Sequence, residues 1–449
     1  MTLNSNQENV LSKASTNAVK ENFARVIVNF NSNRWLRIKN RYAVDTIQKI
    51  HNDTFEGAKN YKNKEINEYI AASIILHCMD AWSYFGRAIG SLLNGDTKIS
   101  RHLLYYSELR SGMSILASQG IGVFNNKHFI IHSRDRCKIL TKLRTHDFVW
   151  LALNFWIDNL NASSILRETI SLEEKSLDIW LDLFGIRSGT KDSILKKFLL
   201  SIGFDLQLFN NDHNARDEVS YRPTTIIGTS ATNYKQILNE VKVCWQLCEP
   251  NLRFGLQRID QLLLKRLLHI TFKATHPDGR SHKQNSREFK NKINNMLIDL
   301  GLSNERTNWW QSYFEYDSSS EKVFSFIDGS KNIKEDKYVF GMLYRALLLL
   351  RISSAFCEEY TRDNSSLTKS DLDFWWPNIG SNSGLWGAFD DVSYFSDLWE
   401  DINLEIENLD LWISREDGEI SQFGFQNDNH VSTLRLASFE RACLWSLGI

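Results

Sequence analysis

The sequence predicts an all-α or nearly all-α, multi-helical protein with one small β-hairpin near residues 121–132. Three observations predict it. Proline, which removes a backbone donor and breaks helices, occurs only at Pro223, Pro250, Pro277 and Pro377. Apolar residues recur at the 3.6-residue period of a helix face over long stretches. The stretch that departs from this, Gly122–Phe124 and His128–His132 around Asn125-Asn126, has hairpin turn chemistry.

Taken in order, residues 1–20 are polar and read as a flexible tail. Residues 21–60 combine a short strand at Arg25–Phe30 with a helix near Tyr42–Asn52. A strong helix spans about Ile66 to Leu93 and stops at Asn94-Gly95, because glycine takes the left-handed conformation that ends a helix. A second spans about Ser100 to Ser118 and stops at Gly120. After the hairpin, helices resume at His146–Asn159. Another opens at Ser171, which has capping-box spacing to Glu174, and ends near Gly185. Lys191–Ile202 is a shorter helix. Residues 230–248 and 256–273 are helical, the latter with a stripe of Leu256, Ile259, Leu263, Leu267 and Ile270. Asn285 and Glu288 cap a helix to Leu300, and Tyr338–Tyr360 is a long buried helix. Past Asp363 the texture changes: Trp375, Trp376, Trp386, Trp399 and Trp412 stand among acids and glycines.

A chain of 449 residues exceeds what one core usually holds, so two or three domains are expected. The changes in texture set an N-terminal helical domain at 21–225, a central basic helical region at 226–362, and an acidic, Trp-rich C-terminal domain at 363–449. The hydrophobic share of 42% and charged share of 24%, with 14 Trp and 26 Phe, suit a packed interior. The polar first twenty residues are not a secretory signal. Arg345 and Arg351 interrupt the most apolar run, so no membrane partner is expected and the expected compartment is the cytoplasm. The six cysteines are scattered, and Cys244 and Cys248, one helical turn apart, lack zinc-site spacing. They read as buried free thiols. No cofactor is expected. Usage rich in Asn, Ile and Lys suggests a bacterial source.

Net charge is −1 overall but unevenly placed. Residues 253–292 hold ten Lys or Arg against three acids, a balance of +7. Residues 127–144 hold six basic residues against Asp135, and residues 365–429 hold fourteen acids against Lys369 and Arg415. RNA or DNA is therefore an expected partner of 253–292, with Arg280, Lys283 and Arg287 as nucleic-acid-binding residues.

Signatures of P-loop, dinucleotide, zincin and nucleophile-elbow enzymes are missing. Pro277-Asp278, Glu288 and Lys290 have a nuclease-like spacing, but metal-dependent cleavage needs the acids on adjacent strands, and these residues open a predicted helix. Ser73, His77, Asp80, Tyr84 and Arg87, spaced by four, three, four and three, form a polar stripe on one face of an otherwise apolar helix. Tyr105, Tyr106, Glu108 and Arg110 precede the small residues Ser111, Gly112, Ser114, Ala117 and Ser118, which allow close helix packing.

Arg216-Asp217, followed by Tyr221, closes the N-terminal helical region and resembles the active-site stretch of HEPN-type helical RNases. The run Leu104-Tyr105-Tyr106 before small residues is similar to bacterial HEPN-like proteins. In that family an Arg, a polar residue and a downstream His cleave RNA without a metal; Tyr221 stands here in the His position. The resemblance implies catalytic roles for Arg216, Asp217 and Tyr221, a homo-oligomer or protein partner, and a setting in antiviral defence. Two functions follow as expectations. The first is a non-catalytic helical interaction subunit of a nucleic-acid-associated defence assembly. The second is a metal-independent, HEPN-like endoribonuclease.

Overall fold

The computed structural model describes the chain except residues 1, 54–60, 160–161, 203, 222–232, 251–254, 277, 317, 331–336, 363–368, 387–394, 416–420 and 448–449. Of the described residues, 73% are helical. The expected boundaries near 225 and 363, and Pro277 of the nuclease-like string, lie outside them.

The first twenty residues are not a tail. They fold into α1 (Ser5–Leu11) and the start of α2 (Thr16–Phe30). Asn4 and Gln7 form a reciprocal capping box on α1, and Val10 and Leu11 are buried. The strand expected at Arg25–Phe30 is the last half of α2. Its β-branched run is outweighed by a stripe of Val19, Phe23, Val26 and Phe30, which is buried only in a helical register. Then come α3 (Thr46–Asn52) and the short strand β1 (Tyr61–Lys62).

The centre of the molecule is a helical hairpin, α4 (Lys64–Leu93) and α5 (Thr97–Ser118). Asn63 caps the first and Asp96 the second, and Gly95 at φ +74° makes the tight reversal. Small side chains bring the two helices together: Ser107 Oγ donates to Ala81 O at 2.9 Å and Ser114 Oγ to Ile74 O at 2.7 Å. Buried Glu68 on α4 accepts from Asn29, from Arg37 backbone and side chain, and from Asn40, which ties α2 and its following loop to this hairpin.

The expected hairpin is part of a larger antiparallel sheet, β2 (Ile121–Gly122), β3 (Lys127–Ser133) and β4 (Arg136–Thr141), in the order β1-β4-β3-β2. Next come α6 (Thr145–Asn159), α7 (Ala162–Thr169), β5 (Ser171–Leu172), β6 (Lys175–Ser176), α8 (Leu177–Leu183), α9 (Ser188–Ser201) and α10 (Leu206–Tyr221). Ser171 thus opens a two-residue β-turn and not a helix. Glu173 and Glu174 take φ +51° and +60°, and the Glu173 carboxylate is held by Arg306 and Trp310. That tertiary anchor overrides the local capping pattern.

The second half comprises α11 (Tyr234–Leu247), α12 (Gln257–Thr275), α13 (Ser286–Asp299), α14 (Asn304–Tyr316), α15 (Ser318–Gly329), α16 (Tyr338–Arg362), α17 (Trp376–Asn382), α18 (Phe395–Arg415), α19 (Gln422–Asp428), α20 (His430–Leu436) and α21 (Glu440–Ser446). Asn285 precedes α13 without a side-chain capping bond. The α16 helix is long and apolar enough to cross a membrane, yet its apolar window is wholly buried against α4, α5, α15 and α21. Its two arginines are paired inside: Arg351 donates to both oxygens of Asp260 at 2.7 Å, and Arg345 to both of Asp212. The C-terminal helices close the far side, with Trp245 stacked on Phe439 at 3.9 Å. One continuous buried cluster draws on residues from Val10 to Leu447. All six cysteines are free and buried, and the thiols of Cys78, Cys357 and Cys443 meet between α4, α16 and α21.

Candidate functional site

The most concentrated chemistry lies where α5, α6 and α10 meet. On α5, His102, Tyr105 and Tyr106 share a face at i, i+3 and i+4. On α10, His213, Arg216, Asp217 and Ser220 do the same at i, i+3, i+4 and i+7. The first turn of α6 adds His146 between them. His146 stacks on His213 at 5.3 Å and on Tyr105 at 5.6 Å, while His102 lies 5.1 Å from Tyr106. The Arg216 guanidinium sits over both tyrosine rings, at 5.5 and 5.8 Å. Three imidazoles, two phenols and a guanidinium therefore converge from three helices.

Hydrogen bonds fix which nitrogens carry protons. Arg216 Nη2 lies 3.3 Å from His146 Nε2, and a guanidinium only donates, so Nε2 is an acceptor. The His146 proton is then on Nδ1, which donates to Tyr105 Oη at 2.8 Å. Burial first, and the Arg216 charge second, push His146 down to about 4, in keeping with this neutral tautomer. Burial raises the Tyr105 phenol, which stays protonated. Ser220 Oγ donates to Arg216 O at 2.9 Å, so it accepts from His102 Nδ1, also at 2.9 Å, and His102 Nε2 keeps its lone pair. Burial, then Arg216, lower the His102 pKa as well.

Asp217 bridges the remaining pair. One carboxylate oxygen is 2.7 Å from Arg216 Nη1, and the other is 3.8 Å from His213 Nε2. Arg216 is 8% exposed, and its Nε is enclosed without an acceptor. The guanidinium is therefore a fixed positive charge at the floor of the site, while His102, His146, His213 and Asp217 are partly exposed around it.

A buried ionic network holds α10 in place from behind. Asp212, next to His213, accepts from Arg345 at 2.6 and 2.8 Å and from the Tyr338 hydroxyl. Arg345 also donates to Ser330 Oγ and lies 3.7 Å from Glu108. Burial, and then Asp212, raise the Glu108 carboxyl well above its usual range.

The polar stripe of α4 packs onto α5. His77 Nδ1 is 3.1 Å from Arg110, Asp80 is 3.5 Å from the same guanidinium, and Ser73 donates back to Tyr69 O. Tyr84 stacks on Tyr106 at 5.3 Å with Arg87 at 6.0 Å beyond it, so the stripe joins the Arg216 cluster through Tyr84. Tyr221 ends α10 at 78% exposure, outside the cluster. The imidazole next to the Arg216 guanidinium is that of His146 from α6. The sequence reading did not single out His102, His146 or His213. The signal for His213 was present, three residues before Arg216 on one helix; His146 had none.

Arg280, Lys283 and Arg287 are exposed between and on α12 and α13. In the nuclease-like string, Glu288 bonds His276 at 3.1 Å and Lys290 bonds Glu315 at 2.8 Å; Glu288 and Lys290 lie on a helix rather than adjacent strands. Among the described residues, acids of 365–429 pair with Lys242, Arg435 and Arg441. No group of three or more His, Cys, Asp or Glu among the described residues is placed to hold a metal ion. No family model, curated protein or solved structure matches the chain.

Proposed function

We propose that the Arg216 cluster is a metal-independent RNA-cleaving site. The observation that carries the proposal is the convergence of His102, His146 and His213 on the buried guanidinium of Arg216. Cleavage of RNA without a metal needs a base to take the ribose 2′-hydroxyl proton. It also needs an acid to protonate the departing 5′-oxygen, and a positive charge facing the phosphorane. The free Nε2 lone pair of His102 suits the base. His213, with Asp217 beside it, suits the acid. Arg216 supplies the charge. His146 is a positioning residue, since both its nitrogens are engaged by Arg216 and Tyr105. The 2′-oxygen bonds to phosphorus as the P–O5′ bond breaks, giving a cyclic phosphate and a 5′-hydroxyl.

The test is a single-stranded RNA labelled at one end, incubated with the full chain in EDTA. Cleavage with cyclic-phosphate products is expected. His102→Asn and His213→Asn should each lower the rate by about 10²–10⁴-fold, the usual worth of one general acid or base. Arg216→Ala should abolish cleavage. Activity that needs Mg²⁺, or that survives Arg216→Ala, overturns the assignment.

A second reading, an interaction subunit, is favoured by exposed apolar side chains on the C-terminal helices: Leu404 and Leu411 on α18, Phe423 on α19, Val431 and Leu434 on α20. It expects native mass spectrometry to show an assembly heavier than the 52.2 kDa chain, lost in Leu404→Lys/Leu411→Lys. A monomer that cleaves RNA at full rate counts against it.

A further inference from the structure

A second site lies away from the Arg216 cluster, in a cavity of about 780 Å³ between α9, α12, α15 and the loop that follows α12. Lys197, Lys265, Arg266, Lys273 and Lys283 line it, against a single acid, Asp328. Both oxygens of Asp328 are taken by Arg266 Nη2 at 3.1 Å, and Lys197 and Lys273 have no ion-pair partner among the described residues. A concentration of like charge in a concave wall raises the free energy of the folded chain and focuses a positive field into the cavity. The field is the kind that an anion relieves.

The floor carries unmet polar capacity. Arg266 Nε is enclosed without an acceptor, with the guanidinium 4.7 Å from the Phe324 ring. His269 and His282 stack face to face at 3.6 Å, and His269 Nε2 is also enclosed without a partner. Burial, followed by His282, Lys265, Arg266 and Lys283, keeps the His269 imidazole neutral. The stacked imidazoles and Phe324 give the cavity flat ring walls beside its cations. The volume falls in the range of small-ligand sites, and a partly open cleft of this size admits a compact ligand rather than the length of a duplex.

We propose that this cavity binds a small phosphate-rich anion of the nucleoside-triphosphate or inorganic-oligophosphate class, with Lys197 and Lys273 at the rim and Arg266 at the floor contacting its phosphates. Several phosphates are needed to offset several fixed cations. The stacked histidines and Phe324 offer a surface for a base where the ligand carries one. The assignment stands independently of RNA cleavage at Arg216.

The experiment is calorimetric titration of the full chain at about 50 mM salt, where phosphate contacts are strong, with three probes: inorganic triphosphate, ATP, and a single-stranded RNA of about twelve nucleotides. Saturable binding of triphosphate or ATP is expected. Lys197→Glu/Lys273→Glu, both on exposed side chains, should weaken it by about tenfold or more, a loss of about 1.4 kcal/mol, with the circular dichroism spectrum unchanged. ATP binding more tightly than triphosphate identifies the nucleotide source; equal binding identifies the phosphate chain alone. The same variant should keep its Arg216-dependent RNA cleavage, which separates failure here from failure of the catalytic assignment. Binding of RNA alone, no binding of any probe, or equal binding by wild type and the double variant overturns the proposal.

Discussion

Replacing Arg345 with methionine removes the cation between two buried carboxyl groups, and its cost follows from the contacts. The Arg345 side chain is wholly buried, donates to both Asp212 oxygens at 2.6 and 2.8 Å and to Ser330 Oγ, and lies 3.7 Å from Glu108. Methionine keeps most of the stem and volume, so the cavity contribution is small. The loss is electrostatic: breaking one side of a buried pair costs about 3–5 kcal/mol. Two hydrogen bonds to a charged group, at about 1.5–3 kcal/mol each, give about 3–6 kcal/mol, which overlaps that range. The deficit depends on pH. Burial and Asp212 already raise the Glu108 carboxyl in wild type. Without the guanidinium Asp212 loses its counter-charge in the same dry site, so the folded variant takes up a proton that wild type does not hold and that the unfolded chain releases above about pH 5. A folded state that binds more protons than the unfolded state loses stability as pH rises. The deficit should therefore be smallest near pH 5 and grow toward pH 8. Urea denaturation of wild type and variant at both pH values, followed by tryptophan fluorescence, measures it, and adding Asp212→Asn should recover part of the loss. A deficit under about 1 kcal/mol, or one that is the same at both pH values, refutes the reasoning.

Three further outcomes are expected. Because burial and Arg216 lower the His102 pKa, its base form persists below the ordinary imidazole range, and the acid limb of the pH–rate profile for RNA cleavage should lie below 6.5; a limb at or above that value removes His102 from the role. Gly86→Ala should destabilise the chain by about 1–3 kcal/mol, because the new Cβ would stand 2.6 Å from Ala437 O, whereas Gly90→Ala, with 3.5 Å to Ala437 Cβ, should be neutral or gain up to about 1 kcal/mol. Thermal denaturation distinguishes the two. Converting Arg280, Lys283 and Arg287 to glutamine should weaken RNA retention and flatten its salt dependence between about 50 and 200 mM; an unchanged slope excludes these residues from the contact.

Much of the architecture was legible because it rests on periodicity. The stripe from Leu256 to Ile270 and the stop at Asn94-Gly95 are local signals that the packing reinforces. The failures share a physical cause. Arg25–Phe30 and Ser171–Glu174 were read from local propensity, and tertiary contacts decided them: the buried face of α2 in one case, the Arg306 and Trp310 clamp on Glu173 in the other. The polar first twenty residues hid Val10, Leu11 and Val19, a small apolar set that is still enough to anchor two helices. For the site, Arg216 and Asp217 stood out as neighbours in sequence, and Tyr84 and Tyr105 as members of helical faces. The three histidines arrive from three helices, and a juxtaposition of His146 with a residue seventy positions away leaves no linear trace.

The central helix α16 has one more consequence, felt before the fold exists. A nascent segment of 25 residues with its hydropathy meets the length and composition requirement of a bilayer span. Each arginine near the middle of such a segment adds about 2.5–3.5 kcal/mol to the free energy of insertion. Arg345 and Arg351 together raise that cost by about 5–7 kcal/mol. The same two side chains that are neutralised by Asp212 and Asp260 after folding thus bias the unfolded segment away from lipid while those acids are still distant. Substituting both with leucine would remove the internal ion pairs and, at the same stroke, hand the cell a segment its insertion machinery can accept.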